Sequence, residues 1–353
     1  LYWLTIFGKL PWAALVVLES LYIAAFGLVA GWIAPRVGSW PRFVLLPSLW
    51  VVFEWLRSLG KLGFTWGCLG YSQYENLALI QVSSATGVWG VSLLLAVANA
   101  ALANVWLGWK RDRRVLLQPV AAGLLALAVL VHGSVSLGEK GASSRQGDSS
   151  GREVRVAIAQ GNINSDLDFD MEVVRKTWRV YTRQTLEAAG RADVVIWPES
   201  AVPGTIGREE FFQGMLLELA NRSGAHLILG GWDADDRGRS YNSAFAITPG
   251  RGLTDRYAKV HLVPLGEFVP PIMRRTMPFL RQYRVVTHDT TPGSGFEPLE
   301  AGGVEFGTAI CFESIFPQIP RALTLNGAEV LCVITNDSWF GRGPAAEQHM
   351  SMS

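Results

Sequence analysis

The chain has 353 residues, of which 49% are hydrophobic and only 17% are charged, and its formal net charge is +1. This length allows two or three domains. The near-neutral charge excludes the bulk electrostatic attraction of a nucleic-acid-binding protein, and so few charged residues are untypical of a soluble enzyme. The three cysteines suggest neither a disulfide framework nor a metal-binding CxxC pair.

Residues 1–137 are nearly free of charge and contain four apolar segments that predict membrane-spanning helices. A helix needs about 20 apolar residues to cross a bilayer. Core helices of a large soluble protein could imitate one such segment, but four together favour a membrane unit. The chain opens without a signal-peptide pattern, so residues 1–7 are expected to end an earlier helix. The predicted spans are Pro11–Ile33, Arg42–Leu56 (the shortest), Thr86–Trp109 and Val115–Leu137.

Basic residues orient these predicted spans. The short loop Lys110–Arg114 carries four positive charges, and such loops stay in the cytoplasm. The connection at 34–41 falls on the same side, and the longer, weakly charged connection at 58–85 falls on the other. The chain therefore leaves its last span on the far side, and everything after residue 138 is expected to be extracytoplasmic.

Two carboxylates lie in or beside the predicted spans. An intramembrane carboxylate is a functional candidate by default. For Glu54 we favour an ion pair with Arg57, three residues further along the same helix. The sequence assigns no role to Glu19 or to Cys68.

A change of composition divides the chain into a membrane unit over 1–137, a linker over 138–152 and a catalytic domain over 153–353. The linker is predicted as flexible because Gly138–Gly151 is rich in Ser and Gly. In the last part, apolar strand-like runs alternate with helical patterns, which favours a layered α/β domain. The predicted strands are 154–158, 193–197, 226–230, 242–247, 305–310 and 329–334, and the predicted helices are 168–189, 208–222 and 315–326.

The segment Gly307–Glu313 places a cysteine where a predicted strand turns into a predicted helix. Its apolar approach ends at Ile310, and Cys311 follows directly. A nucleophile at such a turn is held on rigid backbone with its side chain off the sheet edge. A buried core cysteine is the commoner alternative, and this segment alone leaves it open.

Glu199 and Lys259 also follow or end apolar runs. Because layered α/β folds collect their chemistry at strand ends, both could share an edge with Cys311. Glu199 could then take the thiol proton, while Lys259 would favour the thiolate and stabilise an oxyanion. The backbone N–H of Phe312, next after the cysteine, would be a second oxyanion donor. The expected chemistry is acyl transfer through a thioester.

These residues lie in blocks that resemble the nitrilase, or carbon–nitrogen hydrolase, superfamily. The particular residues in these blocks are similar to those of the apolipoprotein N-acyltransferase branch, and the resemblance covers nearly the whole chain. The matching blocks are Trp197–Ser200, Lys259–Pro264 with Gly266–Pro270, Ile310–Glu313 and Thr335–Gly341, and in the membrane half Glu54–Arg57 and Gly70–Gln73.

The resemblance implies an α-helical transmembrane bundle followed by an αββα sandwich on the periplasmic side of the bacterial inner membrane. In the implied reaction an acyl chain passes from a phospholipid to a cysteine thioester and then to the N-terminal diacylglyceryl-cysteine of an apolipoprotein. No cofactor, metal or nucleic acid is expected. The implied roles are general base for Glu199, oxyanion stabiliser for Lys259, nucleophile for Cys311 and supporting carboxylates for Glu267 and Glu313.

The chain departs from the family's pattern in two ways. Phe312 stands where the family commonly has Tyr, which leaves the backbone donor in place. The family also has further sequence before Leu1 and after Ser353, so the chain is expected to be a fragment cut at both ends. Two alternatives stay open: a membrane-tethered nitrilase-type amidase that gives its acyl group to water, and an inactive truncated membrane protein that binds lipid or partners.

Four further features carry weaker expectations. His261 and His349 are expected to be structural, because the triad already has its base. Asn336-Asp337 is expected to hold a turn beside the site, and Cys332 to lie in a core strand. The segment 270–286 mixes apolar side chains with four arginines, which fits a surface loop and a lipid-touching arm equally well.

Overall fold

The computed structural model describes residues 2–146, 153–163, 171–271, 275, 289–341 and 343–353. The backbone divides into two compact units, one built mainly from Trp12–Gly151 and the other mainly from Arg152–Ser351.

The first unit is helical, and three of its stretches are long and apolar enough to cross a membrane: Lys9–Arg36, Val88–Gly108 and Arg113–Gly138. Only 6% of the apolar stretch near the N-terminus is buried within the protein. Its side chains therefore face outward, as contact with lipid requires. The helices are α1 (Lys9–Ile33), α2 (Ser39–Arg57), α3 (Leu77–Ile80), α4 (Ser83–Thr86), α5 (Val88–Gly108) and α6 (Leu117–Gln146).

Two predictions about the extent of the helices differ from the structure. The predicted span Arg42–Leu56 is helical as part of α2, but it is not one of the three apolar stretches, since α2 carries Arg42, Glu54 and Arg57 in 19 residues. The predicted linker is helical up to Gln146, where α6 ends. This part of the sequence contains no proline to stop a helix that is already formed, and the following six residues lie outside the described ones.

The predicted ion pair between Glu54 and Arg57 is wrong. Arg57 instead pairs with Glu19 of α1, with 3.3 Å between Nη1 and Oε2. Glu54 accepts hydrogen bonds from the backbone N–H of Leu69 at 2.7 Å and from the indole of Trp50 at 3.0 Å. Tertiary packing of α1 against α2, which helical spacing does not report, therefore selects the partners.

The second unit is a sandwich of two sheets. Its described strands are β1 (Val156–Ile158), β2 (Val194–Ile196), β3 (Val202–Thr205), β4 (His226–Ala234), β5 (Ser240–Thr248), β6 (Gly252–Ala258), β7 (Leu299–Ala301), β8 (Val304–Ile310) and β9 (Val330–Ile334). The larger sheet has the order β1–β2–β4–β5–β6, with β3 beside β4, and the smaller has the order β7–β8–β9. In the larger sheet β1, β2 and β4 are parallel, and the antiparallel β5 leaves β6 running in their direction.

Helices cover the outer faces of both sheets. The helices α7 (Met171–Glu187) and α8 (Glu210–Ser223) pack on the larger sheet through a core around Trp197. A second core, which includes Ile228 and Phe306, fills the space between the sheets. The helix α9 (Gln318–Leu325) packs on β8, and α10 (Pro344–Met352) comes last among the described residues. This layering confirms the αββα sandwich.

Most predicted strands and helices of the second unit are present in the structure, and the differences involve short or polar elements. The helix predicted from residue 315 begins at Gln318, because a turn of 3₁₀ helix (Cys311–Ile315) and then Pro317 precede it. The short strands β3 and β7 and the half-polar β6 carry too little alternation to be recognised. Of the segment 270–286 only residues 270, 271 and 275 are described, so the predicted arm lies outside the described residues.

Candidate active site

Glu199 sits just beyond the end of β2, on backbone fixed by the sheet. Trp197 is fully buried, donates its N–H to the carbonyl of Ile228 at 2.8 Å and donates its indole N–H to the Thr185 hydroxyl at 2.9 Å. The chain then passes close to Gly230, where a Cβ would lie only 2.5 Å from the Cα of Glu199. Glycine is therefore required there, and Glu199 is held at 6% exposure.

Lys259 reaches the same edge from β6. Its backbone N–H donates to the carbonyl of Asn242 at 2.9 Å, and the residue is 1% exposed. Its Nζ lies 3.1 Å from Oε1 of Glu267 and 3.4 Å from Oε1 of Glu199. Since β6 runs in the direction of β2, the ends of these two strands bring Lys259 and Glu199 together, and Glu267 reaches them from the segment that follows β6.

Asn242, within β5, completes this buried cluster. Its side-chain amide donates to Oε1 of Glu199 at 2.8 Å and to Oε1 of Glu267 at 2.9 Å. One amide and one ammonium thus separate two carboxylates that would otherwise repel each other. Sequence reasoning gave Asn242 no role, although a polar residue at the start of an apolar strand was the available signal.

The outer oxygens of both carboxylates are also held by backbone. The N–H of Val263 donates to Oε2 of Glu267 at 2.8 Å, and the N–H of Asn336 donates to Oε2 of Glu199 at 3.2 Å. The side chain of Asn336 accepts from the N–H of Ser338 at 3.2 Å. The predicted turn at Asn336-Asp337 is thereby confirmed, and it touches Glu199 directly.

The charge of Lys259 is sustained by its neighbours. Burial disfavours the ammonium, but the carboxylates of Glu267 and Glu199 outweigh that effect and raise the pKa of Lys259. The residue therefore supplies a permanent positive charge in a water-poor site, where hydrogen bonds and charges act strongly on a developing oxyanion.

Cys311 follows β8 on strained backbone. Its φ of +52° lies in the left-handed region, which is uncommon for residues other than glycine and costs of order 1–3 kcal/mol. Burial and the charge of Glu199 raise the pKa of its thiol well above the usual range, while Lys259 and a hydrogen bond with Thr335 act in the opposite direction. The resting group is a thiol, so attack on a carbonyl needs a base.

Glu313 joins the segment of Lys259 to that of Cys311. Its carboxylate is fully buried and accepts from the N–H groups of Val260 at 2.7 Å, His261 at 3.0 Å and Ile310 at 2.9 Å. The Tyr257 hydroxyl donates to it at 2.9 Å. Burial raises the pKa of Glu313, and the backbone donors partly offset that. The side chain of Glu313 therefore holds the end of β6 and the end of β8 together.

We expect Glu313→Gln to destabilise the catalytic domain, because Glu313 holds backbone segments together. The new amide would turn an N–H toward backbone donors that need an acceptor, and each buried donor left unpaired costs about 1–3 kcal/mol. The measurement is the thermal unfolding midpoint in detergent, beside the exposed control Glu347→Gln on α10. Equal midpoints for both variants would contradict this role.

The remaining predicted residues lie close by. His261 packs on Phe316 with 4.0 Å between ring centroids, and burial together with Lys259 lowers its pKa to about 4, so its ring is neutral. Phe312 packs edge-on against Phe316 at 5.1 Å, and the oxyanion role of its backbone N–H stays a prediction. Cys332 lies in β9, which is half-exposed rather than the core strand that was predicted, and its sulfur is 3.3 Å from the Thr308 hydroxyl.

Among the described residues, one group could hold a metal ion, namely Cys311, Asp337 and His349, whose ligand atoms lie within 4.8 Å of one another. Nδ1 of His349 already pairs with the Asp337 carboxylate at 2.9 Å. Two of the three ligands thus satisfy each other. Sequence reasoning did not connect His349 with the nucleophile.

Comparisons with known proteins match both units. Residues 155–353 match the carbon–nitrogen hydrolase family, and residues 1–101 match the apolipoprotein N-acyltransferase N-terminal domain. The apolipoprotein N-acyltransferase of Geobacter metallireducens is 35% identical, over 100% of this chain and 69% of that protein. Those of Methylococcus capsulatus and Chromobacterium violaceum are each 33% identical, over 96% and 97% of this chain and 65% and 64% of those proteins. The chain spans about two thirds of the length of these relatives.

Proposed function

This chain belongs to the apolipoprotein N-acyltransferase family of carbon–nitrogen hydrolases, and on that premise we propose that it moves a phospholipid acyl chain, through a thioester, to the N-terminal diacylglyceryl-cysteine of apolipoproteins. The observation that carries the proposal is the buried Lys259, which is ion-paired with Glu199 and Glu267 and whose segment is joined to that of Cys311 through Glu313. A base, a fixed positive charge and a nucleophile at one place support two-step acyl transfer.

In the first step the sulfur of Cys311 attacks the ester carbonyl carbon of the phospholipid. Glu199 takes the thiol proton, since the raised pKa of that thiol leaves little thiolate beforehand. The ammonium of Lys259 and the backbone N–H of Phe312 stabilise the oxyanion of the tetrahedral intermediate. The intermediate collapses to the thioester, and Glu199 returns the proton to the departing lysophospholipid oxygen.

In the second step the α-amine of the lipoprotein's diacylglyceryl-cysteine attacks the thioester carbonyl. Glu199 accepts a proton from the amine, and Lys259 again faces the oxyanion. The C–S bond breaks as the amide forms, and the proton passes from Glu199 to the sulfur of Cys311. The site then returns to its resting thiol with no net change.

The chain is a membrane protein, with three apolar helices and relatives from bacteria. We place it in the inner membrane with the catalytic domain on the periplasmic side. The basic loop Lys110–Arg114 supports that orientation, because loops rich in Lys and Arg stay in the cytoplasm. A membrane base suits the reaction, since both proposed substrates carry acyl chains.

The test is the intact mass of the protein after incubation with phospholipid vesicles. We expect a gain of one acyl chain that hydroxylamine removes, since hydroxylamine cleaves thioesters. The gain should be absent from Cys311→Ala and present in the matched control Cys332→Ala, which removes a thiol that lies in β9. Adding a diacylglyceryl-cysteine peptide should remove the acyl chain from the protein and increase the mass of the peptide by one acyl chain.

Two outcomes would contradict the proposal. If folded protein gains no mass from phospholipid but is acylated by a simple amide, the chain is a nitrilase-type amidase. If the thioester forms and then releases only free fatty acid in the presence of the peptide, water is the acceptor and the transferase assignment is wrong.

A further inference from the structure

The proposed mechanism leaves unused a buried histidine and a partly exposed carboxylate beside the nucleophile. His349 lies on α10 and is 2% exposed. Its Nδ1 is 2.9 Å from Oδ1 of Asp337. Its Nε2 is 3.3 Å from the carbonyl oxygen of Cys311 and 3.2 Å from the hydroxyl oxygen of Ser314. The ring thus lies between a carboxylate and the backbone of the nucleophile itself.

The chemistry of these partners limits which atom can donate in each contact. An ionised carboxylate only accepts, so Nδ1–H of His349 donates to Asp337. A backbone carbonyl also only accepts, so the contact with Cys311 needs an N–H on Nε2. The Ser314 hydroxyl can either donate a hydrogen bond to Nε2 or accept one from it.

Asp337 also lies near the sulfur of Cys311. The Thr335 hydroxyl oxygen lies 3.0 Å from Oδ1 of Asp337, and Thr335 also acts on the Cys311 thiol, whose pKa it lowers. One carboxylate therefore connects to the sulfur through Thr335 and to the carbonyl through His349. The sulfur of Cys311, a carboxylate oxygen of Asp337 and a ring nitrogen of His349 all lie within 4.8 Å of one another.

Cys311 needs such a restraint. Strand pairing between β8 and β9 ends with Ile310 opposite Ile334, so the carbonyl of Cys311 is the first one past the ladder. The residue also has a φ of +52°, which a non-glycine residue keeps only where its surroundings enforce it. A donor on that carbonyl stabilises the strained turn and so the direction of the sulfur.

We propose that Asp337 and His349 are a positioning pair for the nucleophile, in which His349 fixes the carbonyl of Cys311 and Asp337 orients both His349 and, through Thr335, the thiol. This role rests on the proposed function of Cys311 as nucleophile. Neither residue contacts substrate in this proposal. The pair acts by keeping the sulfur aimed at the acyl carbon within reach of Glu199 and Lys259.

Two substitutions at one position test the carbonyl contact. The amide nitrogen of His349→Gln overlays Nε2 and keeps a donor for Cys311, whereas that of His349→Asn overlays Nδ1 and loses it. We expect His349→Asn to lower kcat by about tenfold to a hundredfold, as a small misplacement of a reacting group does, with KM unchanged. His349→Gln should recover most of that loss. Equal kcat values for the two variants would overturn the carbonyl contact.

A second readout follows the thiol without any lipid. The rate at which iodoacetamide alkylates Cys311 at a fixed pH, measured by mass spectrometry, reports the thiolate fraction. The groups that face the sulfur are Glu199, Lys259, Asp337 and Thr335. Asp337→Asn removes a negative charge and should raise the alkylation rate, while Thr335→Val removes a hydrogen bond and should lower it.

The control is His226→Asn, at the start of β4 and at the opposite end of the sheet from Glu199, which should change neither kcat nor the alkylation rate. Thiol alkylation needs neither phospholipid nor lipoprotein, so it reports on the pair even if the proposed transfer fails. Unchanged alkylation in both Asp337→Asn and Thr335→Val, from folded protein, would overturn the positioning pair.

Discussion

Replacing Lys259 with methionine is expected to abolish thioester formation and to lower the free energy of unfolding by about 3–5 kcal/mol, the usual cost of breaking a buried ion pair. Methionine has nearly the same length and fills the same space. It leaves Glu199 and Glu267, 6% and 7% exposed, with only the Asn242 amide between them. The two carboxylates then repel each other, and the oxyanion loses the positive charge that faces it.

A double variant separates the structural effect of Lys259 from its chemical effect. In Lys259→Met with Glu267→Gln the site holds a single carboxylate and so has the same net charge of −1 as the native group of two carboxylates and one ammonium, so most of the lost stability should return. The thioester should remain absent, because no positive charge faces the oxyanion. The measurements are urea or thermal unfolding in detergent and intact mass after incubation with phospholipid. Thioester formation in the stabilised double variant would show that Lys259 is only structural.

Glu199→Gln is expected to move two properties of Cys311 in opposite directions. Thioester formation should fall by about 10²–10⁴-fold, the usual contribution of a general base. The charge of Glu199 is, after burial, the main cause of the raised pKa of the thiol. Removing it lowers that pKa, so iodoacetamide should alkylate Cys311 faster at a given pH while acyl transfer becomes slower.

The two rates are measured on the same preparation, with the exposed Glu347→Gln as the matched control. Glutamine keeps the shape of Glu199 and can still accept from the Asn242 amide, which lies 2.8 Å from Oε1 in the native chain. A general disturbance of the site would slow both reactions together. Parallel losses in alkylation and acylation would therefore contradict the role of Glu199 as base and leave it as a packing residue.

Much of the candidate site could be predicted because its members stand at strand ends. Glu199 follows β2, Lys259 follows β6 and Cys311 follows β8, and such positions carry chemistry in layered α/β folds. The family resemblance narrowed the chemistry further, and the comparisons confirm the family. The structure brings the three side chains together, and their catalytic roles are proposals.

The polar partners of these residues could not be predicted. Asn242 lies 43 positions from Glu199, Asn336 lies 137 positions from it, and His349 lies 38 positions from Cys311. Hydrophobic periodicity and turn chemistry describe neighbours only a few residues apart. Nothing local indicates that a histidine on the last described helix reaches the carbonyl of the nucleophile.

The amino-acid sequence by itself determined the apolar helices, the alternation of strands and helices, and the positions at which a carboxylate, an amine and a thiol leave the strands. These features follow from local patterns of apolar residues. Only the tertiary structure decided which charges pair: Arg57 with Glu19 rather than Glu54, and Lys259 with both Glu199 and Glu267. The physical reason is that an unpaired buried charge is costly, and the packing of segments distant in sequence determines which partner lies close enough to pair with it.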